Sequence, residues 1–513
     1  MNWKHLIALA YAAFIPSAFA AFGVTTGSGY LSVDTGGGLV FRVSTTSGDI
    51  TSLKYGSIEC QDSSKYTHIA SGLGTATVSY KTTGNYIVVS IVTSTLTQTY
   101  VAVSGQSAIY IGTYTTAEPD VGELRFIARL SKSALPNGYT QSEINGGTAI
   151  EGSDVYSLSG QTRSKFYSSV QFYKDQVHGV TGSGVGVYMV CMPGNAYETS
   201  GGGPFFRDIN NQGSAQQELY WYMNSGHMVT QAFRTGFFGP YAMVFTSGSA
   251  PSASLDTSFF ANLGITGYVA ASGRGTVKGT ISGVASGFTV MVGLDNTVAQ
   301  YWGTVSGTSY TITGVKPGTY TATLYKKELE VGTGSVTVTA GGTATLNLAS
   351  TESIKTTIWQ IGTPDGTPSG FLTDSRMSAW GPVTYTIGSS SASSFPMAQF
   401  IGVNNPTTIK WTATSSQIGA RTLRIRTTSS FAGGRPTITV NSWSSSSPAA
   451  PTKIDSRGVT RGTWRGYNLV YEYSIPSGTL IAGSNTITIT VISGSSGDAF
   501  LSPNVVYDSV ELY

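Results

Sequence analysis

Residues 220–227 read Tyr220-Trp221-Tyr222-Met223-Asn224-Ser225-Gly226-His227. The tyrosines recur with a period of two, the signature of a strand that lines one face with rings. On such a strand Tyr220 and Tyr222 share a face, joined by Asn224 and Gly226 if the strand stays regular. His227 falls on the other parity, or at the strand end where the chain turns. Flat aromatic faces beside a titratable group suit a sugar-binding cleft, because sugar rings have apolar faces and need a proton donor or acceptor nearby. The plainer alternative is that both tyrosines are ordinary packed or half-exposed strand residues. The chain has four histidines, His5, His68, His178 and His227. Histidine titrates near neutral pH and is the default group for general acid or base work, although a lone one is more often structural.

Working outward, the chain opens Met1-Asn2-Trp3-Lys4-His5 and then runs apolar and small from Leu6 to Ala20. A short positive start, an apolar middle and an Ala-Phe-Ala end match a secretory signal peptide over residues 1–20. No later apolar run approaches the ~18 residues that cross a membrane. A secreted, soluble chain with no membrane partner is therefore expected. Only 11% of residues are charged, and Gly, Ser, Thr, Val and Tyr dominate. Short alternating runs bounded by turn residues recur throughout, which predicts an all-β protein of several sheets. At ~150 residues per domain, 513 residues suggest about three domains. A net charge of +3 gives no case for nucleic acid. Cys60 and Cys191 are the only cysteines, so there is no disulfide scaffold and no thiolate metal cluster. They either pair or stay buried and free. No Asn-X-Ser/Thr site with X other than Pro occurs.

Residues 21–263 form a first block whose strand-like runs include Leu39 to Val43 and Tyr86 to Ile91. So many strands over that length suggest a large sandwich. Within it, Arg125 and Arg129 share parity, and two cations on one face make a seat for carboxylates; a solvated strand face is the alternative. Lys165, in Thr162-Arg163-Ser164-Lys165-Phe166-Tyr167, sits two residues from another cation. Such a lysine, partly desolvated, can fall in pKa and act as a base. Residues 264–350 carry alternating runs around Val315-Lys316-Pro317-Gly318, read as a hairpin-like unit of an immunoglobulin-like or fibronectin type III sandwich. Residues 351–513 suit a jelly roll of the carbohydrate-binding-module kind. There Trp464 and Tyr467 would either stack on sugar or pack in the core.

Taken together, these stretches resemble polysaccharide lyase family 4, the rhamnogalacturonan lyases. The pieces that carry the resemblance are residues 162–167, 220–227, 256–260, 431–436 and 493–503, in one order over the mature chain. The resemblance implies a catalytic β-super-sandwich, a fibronectin type III-like domain and a jelly roll. It implies β-elimination at the rhamnose-α-1,4-galacturonic acid bond of rhamnogalacturonan I. It places the catalytic lysine at Lys165 and the catalytic histidine at His227. The substrate-binding pair falls at Arg125 and Arg129, and the binding tyrosines at Tyr220 and Tyr222. No cofactor is required, a structural calcium stays open, and the enzyme is expected to be a monomer. The resemblance also implies that Cys60 and Cys191 have lost disulfide partners, with Ile91 and Gly179 in the matching places; lower stability, not lost chemistry, is the expectation. The segment Phe371-Leu372-Thr373-Asp374 looks shorter than in relatives, which bears on a loop of the third domain.

These residue types suit the chemistry. Elimination takes the C5 proton of a uronate and expels the C4 oxygen. Arginines that neutralise the carboxylate stabilise the enolate-like intermediate. Lys165 would remove the proton once its pKa is brought down from about 10.4, and His227 would protonate the leaving oxygen or assist at C4. Two other readings stay open at this point. One is a glycoside hydrolase using a carboxylate pair such as Glu151 and Asp154. The other is a pectin-binding protein without catalysis.

Overall fold

A computed structural model describes residues 22–119, 123–138, 144–151, 155–159, 161–164, 171–191, 204–205, 208–213, 215–224, 232–372, 381–453, 464–493 and 502–513. The expected leader, residues 1–20, lies outside them, as do Thr373 and Asp374. The protein is all-β, with three β domains in series. Val, Ile, Thr and Tyr fill its strands because branched and aromatic side chains pack well on a pleated surface.

In the first domain a five-stranded antiparallel meander runs from Gly23–Gly27 to Ile58–Glu59. A seven-stranded sheet runs from Val177–Gly182 at one edge to Thr77–Thr83 at the other. A four-stranded sheet holds Asn211–Gly213, Gln217–Asn224, Leu124–Leu130 and His68–Ile69 in that order. One apolar core joins the three sheets, with Phe41 from the first, Val89 from the second and Phe126 and Trp221 from the third. The seven-stranded sheet is covered on both faces. Val187 and Met189 enter that core, while Tyr188 and Val190 pack with Phe259 and Phe260 of a 3-10 turn, Ser258–Asn262. This explains why Val185–Cys191 is buried throughout rather than alternating.

The second domain is a two-sheet sandwich around Val277, Leu294, Tyr320 and Leu324. One sequence expectation fails here. Ser309–Val315 and Gly318–Lys326 do not form a hairpin; each belongs to a different sheet. A two-residue hairpin turn needs positive φ at its first central residue, and in the favoured type I′ at both, whereas Pro317 is held near −65° and Lys316 lacks glycine's freedom. The chain instead crosses from sheet to sheet. Tyr301 OH accepts from the Lys316 N–H at 3.1 Å, and Tyr320 OH donates to the Lys316 carbonyl at 2.9 Å.

The third domain has two sheets in jelly-roll fashion. Asn504–Leu512 and Arg421–Phe431 are central to one, and Gly483–Ile492 and Thr407–Ala413 to the other. Trp464 packs against its core, with the Arg465 guanidinium 4.6 Å from the ring centre. Lys453 Nζ lies 4.3 Å above the Tyr467 ring. Each ring therefore carries a cation of the same chain against it.

Side chains tie the domains together. The buried Glu328 of the second domain takes two hydrogen bonds from Arg465 of the third, at 2.7 and 2.8 Å, and one from Gln171 of the first, at 2.8 Å. Lys327 adds an ion pair to Asp365 at 3.0 Å. Lys316 Nζ donates to the Phe237 carbonyl at 3.1 Å. Cys60 and Cys191 are both buried and neither forms a disulfide, which decides between the two options left open by the sequence.

Candidate active site

Leu124–Leu130 pairs antiparallel with Gln217–Asn224 on one side and with His68–Ile69 on the other. Its even-numbered residues Leu124, Phe126, Ala128 and Leu130 are apolar and enter the main core beside Leu219 and Trp221. Strand alternation then turns Arg125, Ile127 and Arg129 to the opposite face. The register sets Arg125 opposite Tyr222, Ile127 opposite Tyr220 and Arg129 opposite Glu218. Four residues selected from the sequence, Arg125, Arg129, Tyr220 and Tyr222, thus share one face. Ile127, Tyr220, Tyr222 and Ile209 form a small apolar cluster of their own there. Lys165 and His227 lie outside the described residues, as does Asp154.

Regular alternation ends earlier than expected. Tyr222 pairs with Arg125 but Asn224 pairs with Leu124, so Met223 is the extra residue of a bulge. Asn224 consequently leaves the tyrosine face and is fully buried. Its amide donates to Glu118 Oε2 at 2.6 Å and to the Arg234 carbonyl at 2.9 Å. Burial pushes the Glu118 carboxyl up to about 7, against the pull of that amide bond.

The tyrosines are packed rather than open. Tyr220 is 5% exposed and Tyr222 9%, with ring centres 5.8 Å apart. The Arg125 guanidinium lies 5.8 Å from the Tyr222 ring, and Ile127 and Ile209 pack with both tyrosines. The Tyr220 phenol donates to Glu218 Oε2 at 2.6 Å, with Gln212 Oε1 at 3.2 Å. Burial, then the Glu218 charge and its hydrogen bond, hold this phenol well above its ordinary pKa. Tyr220 is therefore a fixed O–H donor and cannot serve as a phenolate base near neutral pH. Behind it, the Tyr220 carbonyl meets His178 Nε2 at 2.8 Å, and the His178 ring stacks on Trp221. His178 is thus a structural support.

Each arginine already meets a carboxylate: Arg125 pairs with Glu123 and Arg129 with Glu218. A guanidinium has five N–H donors, so these pairs orient the cations and leave donors for a ligand. Glu218 is 5% exposed and serves both Arg129 and Tyr220. Sequence reasoning passed over it, although it shares parity with Tyr220 and Tyr222 and could have been found by extending the same alternation. His68 was also passed over, because only the strand register puts it opposite Ile127. Among the described residues no group of three His, Cys, Asp or Glu side chains could hold a metal ion.

Known families match this chain in three consecutive pieces. The model described as rhamnogalacturonan lyase B, N-terminal, covers residues 22–267. Those of polysaccharide lyase family 4, domain II and domain III, cover residues 273–346 and 357–512. A multidomain polysaccharide lyase is the class that this order of β domains defines. The chain is 54% identical to rhamnogalacturonate lyase A of Aspergillus aculeatus, over 98% of its own length and 99% of the relative's. It is also 54% identical to rhamnogalacturonate lyase A of Emericella nidulans, over 96% of each. The chain belongs to polysaccharide lyase family 4, the rhamnogalacturonan lyases.

Proposed function

We propose that this protein is a secreted endolyase that cleaves the rhamnose-α-1,4-galacturonic acid bond of rhamnogalacturonan I by β-elimination. The observation that carries the reading is the sheet face that sets Arg125 and Arg129 four residues apart, on either side of Ile127, beside Tyr220 and Tyr222, in a chain of this family. The arginines seat the galacturonate carboxylate and stabilise the charge that builds on it as the C5–H bond breaks. One such donor is worth about 3 kcal/mol in the transition state. Lys165, neutral, takes the C5 proton. The electron pair forms the C4–C5 double bond, and the C4–O bond breaks. His227 delivers a proton to the departing rhamnosyl oxygen. The products are a saturated chain end and an unsaturated galacturonate at the new non-reducing end. Secretion follows from the residue 1–20 leader, and the enzyme works as a monomer without a required cofactor.

The deciding experiment is ultraviolet absorbance during incubation with de-acetylated rhamnogalacturonan I, with homogalacturonan alongside. A conjugated double bond that accumulates on the first polymer alone supports the reading. New reducing ends without absorbance would mean hydrolysis, and the lysine-base mechanism would fall.

A further inference from the structure

His68 stands at the edge of the same sheet, and the chain is pinned on both sides of its two-residue strand. Thr67 Oγ1 accepts from the Arg129 N–H at 2.9 Å, and the Ala70 N–H donates to the Arg125 carbonyl at 2.7 Å. Opposed residues of an antiparallel pair point to the same face. His68, opposite Ile127, therefore projects into the row occupied by Arg125 and Arg129. Three buried atoms in this row have no hydrogen-bond partner among the described residues: His68 Nε2, Arg125 Nε and Arg129 Nε. The Tyr66 backbone lies within hydrogen-bonding reach of the His68 ring. With the ring proton on Nδ1, the buried Nε2 carries a lone pair with no partner among the described residues. One unspent acceptor thus lies between two unspent donors.

We propose that His68 is a positioning residue for the arginine pair, its Nε2 accepting a guanidinium Nε–H when a uronate carboxylate draws the outer nitrogens to itself. This rests on the reading of Arg125 and Arg129 as the carboxylate seat. The role requires a neutral imidazole, because an imidazolium has no acceptor at Nε2 and would be a third cation in the row. The surroundings keep it neutral. Burial first, then the charges of Arg129 and Arg125, bring the imidazole down to about 4, with Lys65 adding to them and the Tyr66 backbone opposing. The other titratable groups around this row are Glu123, paired with Arg125, and Glu218, Tyr220 and Tyr222, one strand further across. Both carboxylates are committed, Glu123 to Arg125 and Glu218 to Arg129 and Tyr220.

The test compares wild type, His68→Gln and His68→Leu, each checked by its melting curve. Binding of a saturated rhamnogalacturonan oligosaccharide is measured by calorimetry, and elimination by absorbance. Gln keeps an acceptor and cannot ionise. His68→Leu is expected to weaken binding and raise KM by about tenfold while kcat changes less, and His68→Gln to stay within about threefold of wild type. The ratio of wild-type to His68→Gln affinity should fall about tenfold between about pH 6 and about pH 3; titration of the substrate carboxylate cancels in that ratio. A folded His68→Leu with wild-type affinity, or a ratio constant with pH, overturns the proposal. If His68→Leu does not fold, the pH ratio alone decides. Binding that depends on His68 without any unsaturated product would refute the lyase reading and leave this one standing.

Discussion

Replacing Glu218 by Gln tests whether the arginine is held by the sheet itself. Glu218 is 5% exposed, pairs with Arg129 through Oε1 and accepts the Tyr220 hydroxyl at 2.6 Å through Oε2. Gln keeps the size and one carbonyl oxygen, so the Tyr220 bond survives. The amide N–H groups then face the guanidinium, donor against donor. Breaking one partner of a buried ion pair costs about 3–5 kcal/mol. We take the lower figure, because the Arg129 side chain retains 15% exposure and regains some solvation. At about 2–4 °C per kcal/mol for a domain of this size, the first domain should melt about 6–12 °C lower. Activity should fall further than folding explains. A misdirected Arg129 loses part of the roughly 3 kcal/mol that one preorganised donor supplies, so kcat/KM should drop about 10- to 100-fold at temperatures where the variant is fully folded. Calorimetric melting and the double-bond absorbance measure the two effects separately. A melting shift under about 2 °C with kcat/KM within about twofold would refute both the burial of the pair and its role in aiming Arg129.

Lys165→Ala should abolish the unsaturated product while the melting curve stays at the wild-type position; retained turnover would remove the lysine as base. Arg465→Met leaves Glu328 buried with Gln171 as its remaining side-chain hydrogen-bond partner among the described residues, and about 3 kcal/mol should be lost where the three domains meet, seen as separate melting of the third domain. Asp508 accepts the backbone N–H groups of Asp365 and Gly366, both at 3.0 Å, yet burial, together with the Asp365 charge, raises its carboxyl to about 7. The folded state then binds the more protons between the ordinary aspartate range and about 7, so the third domain should gain stability as pH falls through that window. Asp508→Asn should flatten this dependence in melting curves taken across the window, and an unchanged slope would exclude Asp508 as its source.

How much of this was legible in the sequence depends on how local the signal is. The period of two at Tyr220 and Tyr222, and at Arg125 and Arg129, is a property of each strand alone, and both pairs do share a face. What the sequence does not carry is which strands are neighbours. The pairing of Leu124–Leu130 with Gln217–Asn224 puts Glu218 beside Arg129, and residues 89 apart in the chain give no sign of it. His68 belongs to a two-residue strand, too short for any periodicity. The Met223 bulge is likewise a product of pairing, so parity counted along one chain carried Asn224 to the wrong face. The tyrosines illustrate a different limit. Alternation tells which side a ring faces, not whether something covers that side. At Lys316-Pro317 the local signal was present and misread, since a proline at the second central position of the turn already argues against a hairpin.

The two thiols bear on how the protein can be made. Cys60 is fully buried in the core of the first domain, and burial, with the Glu59 charge, pushes its pKa up to about 12. Thiolate is the species that reacts with oxidants and disulfides, so Cys60 is all but inert toward them. No step of folding waits for a disulfide to form. Bacterial cytosol, with its glutathione and thioredoxin, is therefore a suitable host for production, and purification needs neither an isomerase nor a controlled redox buffer. Reducing agent in the assay should leave the enzyme unaffected.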